Sequence, residues 1–387
     1  MINEILNKID IQNSNLTKKV SLRECVGEIL ATDLVSKKDL PCFDNAALDG
    51  YAFDYDEVGL NLKVAGTIFA GDKKKYTLNK GECFRIMTGA IMPNGANTVV
   101  RLEDAKFQNE LLMTDKNIKK FNAFRLKGEE IKSGEILLKS GEILTPAKVM
   151  LLASQGISEI LVFKKPKVII FSSGDELKEP WQEADDSEIY NANSSAIMAI
   201  LNEFDCKYGG IIPDDLEKTQ NLIENSNKFD VIITSGGASV GDKDYMHEAL
   251  QKLGFKQIFD HIDIKPGRPT KCYKKDEKIV FVLPGNPSAA FLLCFLVVLP
   301  TLKKLSGQKE NFFRKIKTKM SGDLKLKSGR MNIVLGKFED EVFKATNLGV
   351  LGSGAIMPLV NSNALYISKN NEDMLKDTQE LEIFMLI

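Results

Sequence analysis

Residues 229–245 read FDVIITSGGASVGDKDY. Their segment 231–234, VIIT, is a short apolar, β-branched run of the kind that forms a strand buried on both faces. The run breaks into Ser235-Gly236-Gly237 and then Gly241, with Asp242 and Asp244 following before a helix-like segment at 245–253. A strand that enters a glycine-rich turn ahead of a helix frees backbone N–H groups to face an anion. Acidic residues just beyond suggest a divalent cation that neutralises that anion. The stretch therefore predicts an α/β layer with a site for a phosphorylated ligand and a metal.

Working outward, residues 168–305 alternate strand and helix in the doubly wound pattern. Strand 168–171 ends in Ser172-Ser173-Gly174-Asp175-Glu176-Leu177, strand 208–212 ends at Asp214-Asp215, and strand 279–283 ends in Pro284-Gly285-Asn286-Pro287-Ser288. Ligands of open α/β sheets sit at the carboxyl ends of strands, so these loops should converge with the glycine turn on one crevice. The apolar run 289–299 is too short to span a bilayer and reads as a core helix.

Before this layer, residues 1–9 read as a short amphipathic helix. Ser21-Leu22-Arg23-Glu24 has the form of a capping box and predicts a helix to about residue 30. Residues 40–51, LPCFDNAALDGY, form an irregular stretch too apolar for an ordinary exposed turn. Residues 61–127 read as short strands of a β-rich module, with Thr88-Gly89 as a bulge. Thr145-Pro146 predicts an N-cap and first position for a helix stopping at Gly156. After Gly307 the pattern becomes short alternating segments with no clear helix, a small barrel or sandwich.

Composition narrows the function classes. The 387 residues are 43% hydrophobic and 27% charged with a net charge of −1. Two or more domains follow from the length, and no global field favours nucleic acid or an anionic membrane as partner. Six scattered cysteines without a C-x-x-C argue against zinc ribbons and disulfide frameworks and suit a cytoplasmic protein. The glycine loop matches neither a Walker A loop nor G-x-G-x-x-G. Taken alone, a tight βα turn explains it as well as a ligand site does; four polar strand ends together favour a site. Lys265-Pro266-Gly267-Arg268-Pro269 sets two cations around a rigid turn suited to an oxyanion. Glu176, Asp214, Asp242 and Asp244 suit either helix caps or a Mg²⁺ site. His247 and His261, the only histidines, read as structural.

The segments PCFDNAALDGYA, RIMTGAIMPNGANTVV, KGEEIKSGE, FSSGDEL, TSGGASVGDKDY, IKPGRP and LPGNPSAA resemble, in order and spacing, those of the molybdopterin molybdenumtransferases. This is the bacterial MoeA family, which is similar to the E domain of gephyrin. The resemblance covers essentially the whole chain. It implies a multidomain α/β plus β homodimer: a discontinuous helical linker domain (1–52 and 128–163), an inserted β-rich domain (53–127), a doubly wound molybdopterin-binding domain (164–307) and a C-terminal β-barrel (308–387). The implied reaction inserts molybdate into adenylylated molybdopterin with release of AMP, assisted by Mg²⁺, in the cytoplasm. Contact with the molybdopterin adenylyltransferase is a further implied partnership.

Carried over by motif, the resemblance implies that Asp49, Thr88, Glu176, Asp214, Asp244 and Lys265 act in catalysis, with Glu176 and Asp244 holding the metal. Ser235, Gly236 and Gly237 would cradle the molybdopterin phosphate in a pocket shaped by Pro284, Gly285, Asn286 and Pro287. Arg268, Ser288, Arg330 and Ser353 join Lys265 on the molybdate side. Three positions depart from the family pattern: Glu130 in place of Asp, Arg268 in place of the second Lys of KPGKP, and His261 where Lys is frequent. A tungstate-handling or inactive paralogue, an adenylyltransferase and a gephyrin-like scaffold are the alternatives.

Overall fold

The computed structural model describes residues 2–11, 16–238, 245–309, 312–349, 352 and 354–386. The chain forms two compact units, one of residues 1–19, 141–143 and 161–387, the other of residues 20–140 and 144–160.

The first unit is built on a six-stranded sheet. Its strands are β1 (Lys167–Ser173), β2 (Asp205–Ile212), β3 (Val231–Ser235), β4 (Lys256–Phe259), β5 (Lys271–Lys275) and β6 (Lys278–Leu283). They lie side by side in the order β2-β1-β3-β6-β5-β4. The four strands expected from their apolar runs pair in parallel. The short β4 and the lysine-rich β5 add an antiparallel edge that the apolar pattern did not announce. Alternate residues feed the two faces. Val168, Ile170, Val231, Ile233, Ile279 and Phe281 pack towards the N-terminal helix Ile2–Ile9 and the helix beginning at Pro287. Ile169, Phe171, Ile232, Val280 and Val282 pack towards the helix Tyr245–Lys252. All five residues of β3 are buried, as a central strand covered on both faces requires.

The helix after β6 is longer than the apolar run suggested. It continues over residues 287–305, long and apolar enough to cross a membrane by length and composition, but 83% of that window is buried inside the protein. It is a core helix. Pro300 would ordinarily break it, because proline lacks an N–H and clashes with the preceding turn. A π-helical segment, Cys294–Val298, widens the turn there, and the Leu299 N–H bonds the Cys294 carbonyl.

The C-terminal part of this unit is a closed five-stranded barrel. Its strands are β7 (Lys315–Met320), β8 (Met331–Glu339), β9 (Val342–Ala345), β10 (Ala364–Ile367) and β11 (Glu380–Met385). They run in the ring β8-β9-β7-β11-β10 and back to β8. Closure leaves no unpaired edge among them. The barrel is filled by Met320, Val334, Phe343, Tyr366, Leu381 and Ile383.

The second unit carries a six-stranded sheet ordered Thr98–Arg101, Gly50–Phe53, Glu82–Ile86, Asn61–Ile68, Leu111–Met113, Lys106–Gln108. Part of the apolar stretch 40–51 is thus strand. Its α-helix, Pro146–Ser154, has Thr145 as N-cap with the hydroxyl accepting from the Lys148 amide. The helix expected after Ser21 is absent. The Ser21 carbonyl and hydroxyl close a turn on the Glu24 and Arg23 amides, and Gly27 then turns at φ 82°. Leu22, Cys25, Ile29 and Leu30 do follow at helical spacing and are buried, but the positive φ of Gly27 is incompatible with a helix interior. Thr88-Gly89 is likewise not a bulge: the strand ends at Ile86, and Gly89 lies in the turn beyond.

Candidate active site

Three of the predicted strand-end loops touch at one point. Gly236 sits at φ 98°, and a Cβ there would lie 2.3 Å from the Ser173 carbonyl oxygen. A Cβ on Gly285 would come within 3.7 Å of the Gly236 Cα. The ends of β1, β3 and β6 therefore approach so closely that only glycine fits at Gly236. The Gly236 amide donates to the Leu283 carbonyl at 3.0 Å, which removes it from the donors expected to face an anion. The Gly237 amide has no hydrogen-bond partner among the described residues. The fourth loop joins through acids: the Asp214 amide donates to Asp175 Oδ1 at 3.2 Å.

Asn193 locks this junction, and the sequence reading did not single it out. Its Nδ2 donates to Ser235 Oγ at 2.7 Å and to the Gly285 carbonyl at 2.8 Å. It lies in the first turn of the helix Ala192–Ile200, whose N-cap is Asn191. Asn191 Oδ1 also accepts from Ser172 Oγ at 2.8 Å. The run N-A-N-S at a helix start was the available signal; one asparagine caps and the other bridges.

Beyond Gly285, Asn286 Oδ1 accepts from Ser288 Oγ at 3.1 Å and from the Gly354 amide at 3.0 Å. The barrel loop containing Gly354 therefore reaches the pocket loop. Ser288 is fully buried in the first turn of a helix that begins with Pro287. Pro284 is buried, and its carbonyl faces Ser235 Oγ at 3.4 Å.

The Glu176 carboxylate folds back over Gly174, 2.5 Å from where a Cβ on that glycine would be. It has no side-chain partner among the described residues. Asp242, Asp244 and Ser353 lie outside those residues, which contain no cluster of three or more His, Cys, Asp or Glu side chains able to hold a metal. Hard oxygen donors in small number suit Mg²⁺, which takes one or two carboxylates together with phosphate oxygens. An exposed, unpartnered carboxylate beside a glycine loop fits that requirement. Of the predicted acids, neither Glu176 nor Asp214 caps a helix; the cap is Asp215, on the Lys218 amide at 2.8 Å.

Lys265 and Arg268 form a second cluster on the barrel side. Ile264–Lys265 pairs in parallel with Met331 and Asn332 of β8, so Lys265 lies beside the segment following Arg330. The Arg330 carbonyl accepts from Asn332 Nδ2 at 3.1 Å. Arg268 Nε reaches Asp263 Oδ1 at 3.4 Å, and His261 also bonds Asp260 at 2.7 Å. Gly267 packs on Leu293, 2.0 Å from a hypothetical Cβ. Among the described residues, neither Lys265 nor Arg268 hydrogen-bonds the glycine loops.

Asp49 and Thr88, 39 positions apart, meet in the second unit. Asp49 Oδ1 accepts from the Thr88 hydroxyl at 2.6 Å and from the Thr88 amide at 2.7 Å. The hydroxyl first, then the amide, hold the Asp49 carboxyl below its ordinary range. Nearby, Arg125 bonds both Glu129 and Glu130, so the longer acid of this sequence is used in an ion pair.

Five of the six thiols are poor nucleophiles. Burial pushes Cys83 and Cys206 up to about 12 and raises Cys25, Cys272 and Cys294 as well. His247 Nδ1 lies 2.8 Å from the buried Tyr273 hydroxyl, a structural contact.

Residues 1–156 match the MoeA N-terminal region (domain I and II), and residues 169–304 match the probable molybdopterin binding domain. A molybdopterin molybdenumtransferase of Haemophilus influenzae is 33% identical over 91% of this chain and 89% of its own length. One of Staphylococcus aureus is 30% identical over 99% of this chain and 95% of its own. The crystal structure of a molybdopterin biosynthesis MoeA protein from Pyrococcus horikoshii aligns with TM-score 0.87 at 28% identity, covering 100% of this chain and 99% of that one.

Proposed function

The chain belongs to the MoeA family of molybdopterin molybdenumtransferases, enzymes of molybdenum cofactor biosynthesis, and on that premise we propose that it inserts molybdate into adenylylated molybdopterin and releases AMP. The observation that carries this reading is the junction of Ser173, Gly236 and Gly285 held by Asn193. It offers a rigid floor of backbone dipoles to a phosphate without a side chain in the way.

Both substrates are anions, so uniting them requires cations and oriented dipoles. The Gly237 amide meets the phosphate, and Ser235, Pro284 and Asn286 set the pocket around it. Lys265 and Arg268, with Arg330, Ser288 and Ser353, attract and orient molybdate. Glu176 and Asp244 would hold Mg²⁺, and Asp214 would add negative charge to the same acidic set. When bound, Mg²⁺ supplies Lewis-acid polarisation of the phosphoanhydride. Asp49, kept ionised by Thr88, accepts a hydrogen bond or a cation. No protein nucleophile is needed, in keeping with the five thiols that burial holds protonated.

The same reading carries a homodimer, a helical linker domain, a cytoplasmic location and contact with the adenylyltransferase that supplies the substrate. Its support is the near full-length similarity to relatives of that name. The decisive measurement is AMP release from adenylylated molybdopterin with and without molybdate and Mg²⁺. Release dependent on both is expected. ATP consumption with molybdopterin alone, or no release under any condition, would overturn the assignment.

A further inference from the structure

The strand-end segment between Glu176 and Asn193 is tied to the junction at both ends. The Ile189 amide donates to the Glu176 carbonyl at 2.9 Å, and the Asn191 amide donates to the Lys178 carbonyl at 2.8 Å. Those bonds form a short parallel ladder, Leu177–Lys178 with Ile189–Tyr190. Glu179 is held by the Tyr208 hydroxyl, to which Asn191 Nδ2 also donates at 2.8 Å. The strap is thus fixed at its roots rather than loosely looped.

Outward it presents Gln182, Glu183, Asp185, Asp186 and Ser187 and, among them, three large apolar side chains. Trp181, the only tryptophan of the chain, is 75% exposed, with Ile189 at 58% and Tyr190 at 52%. Solitary exposed apolar residues are ordinary, but an exposed tryptophan on an anchored strap is not. Ile189 is paired to the Glu176 backbone, and Tyr190 is three residues before Asn193, so the base of the strap is continuous with the junction. Trp181 is five residues beyond Glu176 and within about 18 Å of it by chain reach.

We propose that Trp181, supported by Ile189 and Tyr190, stacks on a planar nitrogen heterocycle of the substrate. The inference rests on the reaction proposed above, whose substrate carries two such rings, an adenine and a pterin. Stacking on an aromatic side chain is indifferent to the ring's hydrogen-bonding edges and leaves the phosphate-facing backbone unchanged. The strap then contributes binding rather than chemistry.

The single tryptophan makes the test direct, because emission reports Trp181 alone. The protein is titrated with AMP, with neopterin as a soluble pterin, and with ribose 5-phosphate, which has the phosphate but no ring. Saturable quenching by AMP identifies the adenine as the stacked ring, quenching by neopterin identifies the pterin, and ribose 5-phosphate should be silent. Trp181→Ala should raise KM for adenylylated molybdopterin by roughly 5- to 150-fold with kcat little changed, and Trp181→Phe should restore most of the loss. Emission unmoved by either ring compound, or an unaltered KM in Trp181→Ala beside a turning-over wild type, would overturn the proposal. A wild type that binds a ring compound at Trp181 yet releases no AMP would instead overturn the reaction assigned above.

Discussion

The junction at Gly236 and the pair at Asp49 use opposite means to present polarity. At Gly236 the site is backbone: three chain segments approach until no Cβ fits, and one asparagine fastens them. At Asp49 it is side chain: an exposed carboxylate receives two hydrogen bonds from one threonine. The first is rigid and intolerant of added atoms. The second is tunable, since its charge depends on the donors that hold it and on pH. A fold can thus place a fixed dipole where an anion binds and a titratable group where its state has to be set.

Gly236→Ala should break the first site outright. The new methyl would meet the Ser173 carbonyl, and the φ of 98° adds strain of about 1–3 kcal/mol. AMP release is expected to fall roughly a hundredfold, as when a preorganised donor is displaced. Gly71→Ala is the matching control, with φ 85° and open space around it. Equal activity losses in the two variants would show that strain, not the close approach, is what matters.

Asn193→Ala should have a smaller effect. It strands Ser235 Oγ and the Gly285 carbonyl, at a cost of about 1–3 kcal/mol. Roughly a thirtyfold drop in AMP release corresponds to the middle of that range. Thermal unfolding read beside activity separates a loosened junction from a lost fold, and unchanged values in both would remove Asn193 from the argument.

Thr88→Val addresses the second site and should be the mildest. It removes the hydroxyl donor and keeps the amide, so the Asp49 pKa rises towards the ordinary aspartate value of 3.8. A depressed folded-state pKa means that any stability it brings is complete above the unfolded value and is lost as pH falls through the folded one. The variant should match the wild type at pH 7, and the acid limb of its AMP-release profile should move to higher pH. An acid limb that stays in place would separate Asp49 ionisation from turnover.

Much of this was legible in residue order, for reasons particular to each element. VIIT followed by SGG announced a buried strand and a glycine turn because β-branching and positive φ are local properties. Thr145-Pro146 announced a helix start because a cap and a missing N–H act within one turn. The capping box at Ser21 failed because it is equally a turn motif, and Gly27 takes a left-handed turn before a helix could propagate. Strands β4 and β5 went unread because KCYKK owes its conformation to pairing with β6.

Sequence by itself determined the parallel strands of the central layer and the glycine turns, since these follow from side-chain shape and period. Only the tertiary structure decided that Asn193 bridges two loops, that the Gly236 amide is already committed, that Glu176 leans on Gly174 and that Asp49 finds Thr88. All but the Glu176 contact are distances of a few ångströms between residues far apart in the chain. Such distances are set by how whole elements pack, which no local preference encodes.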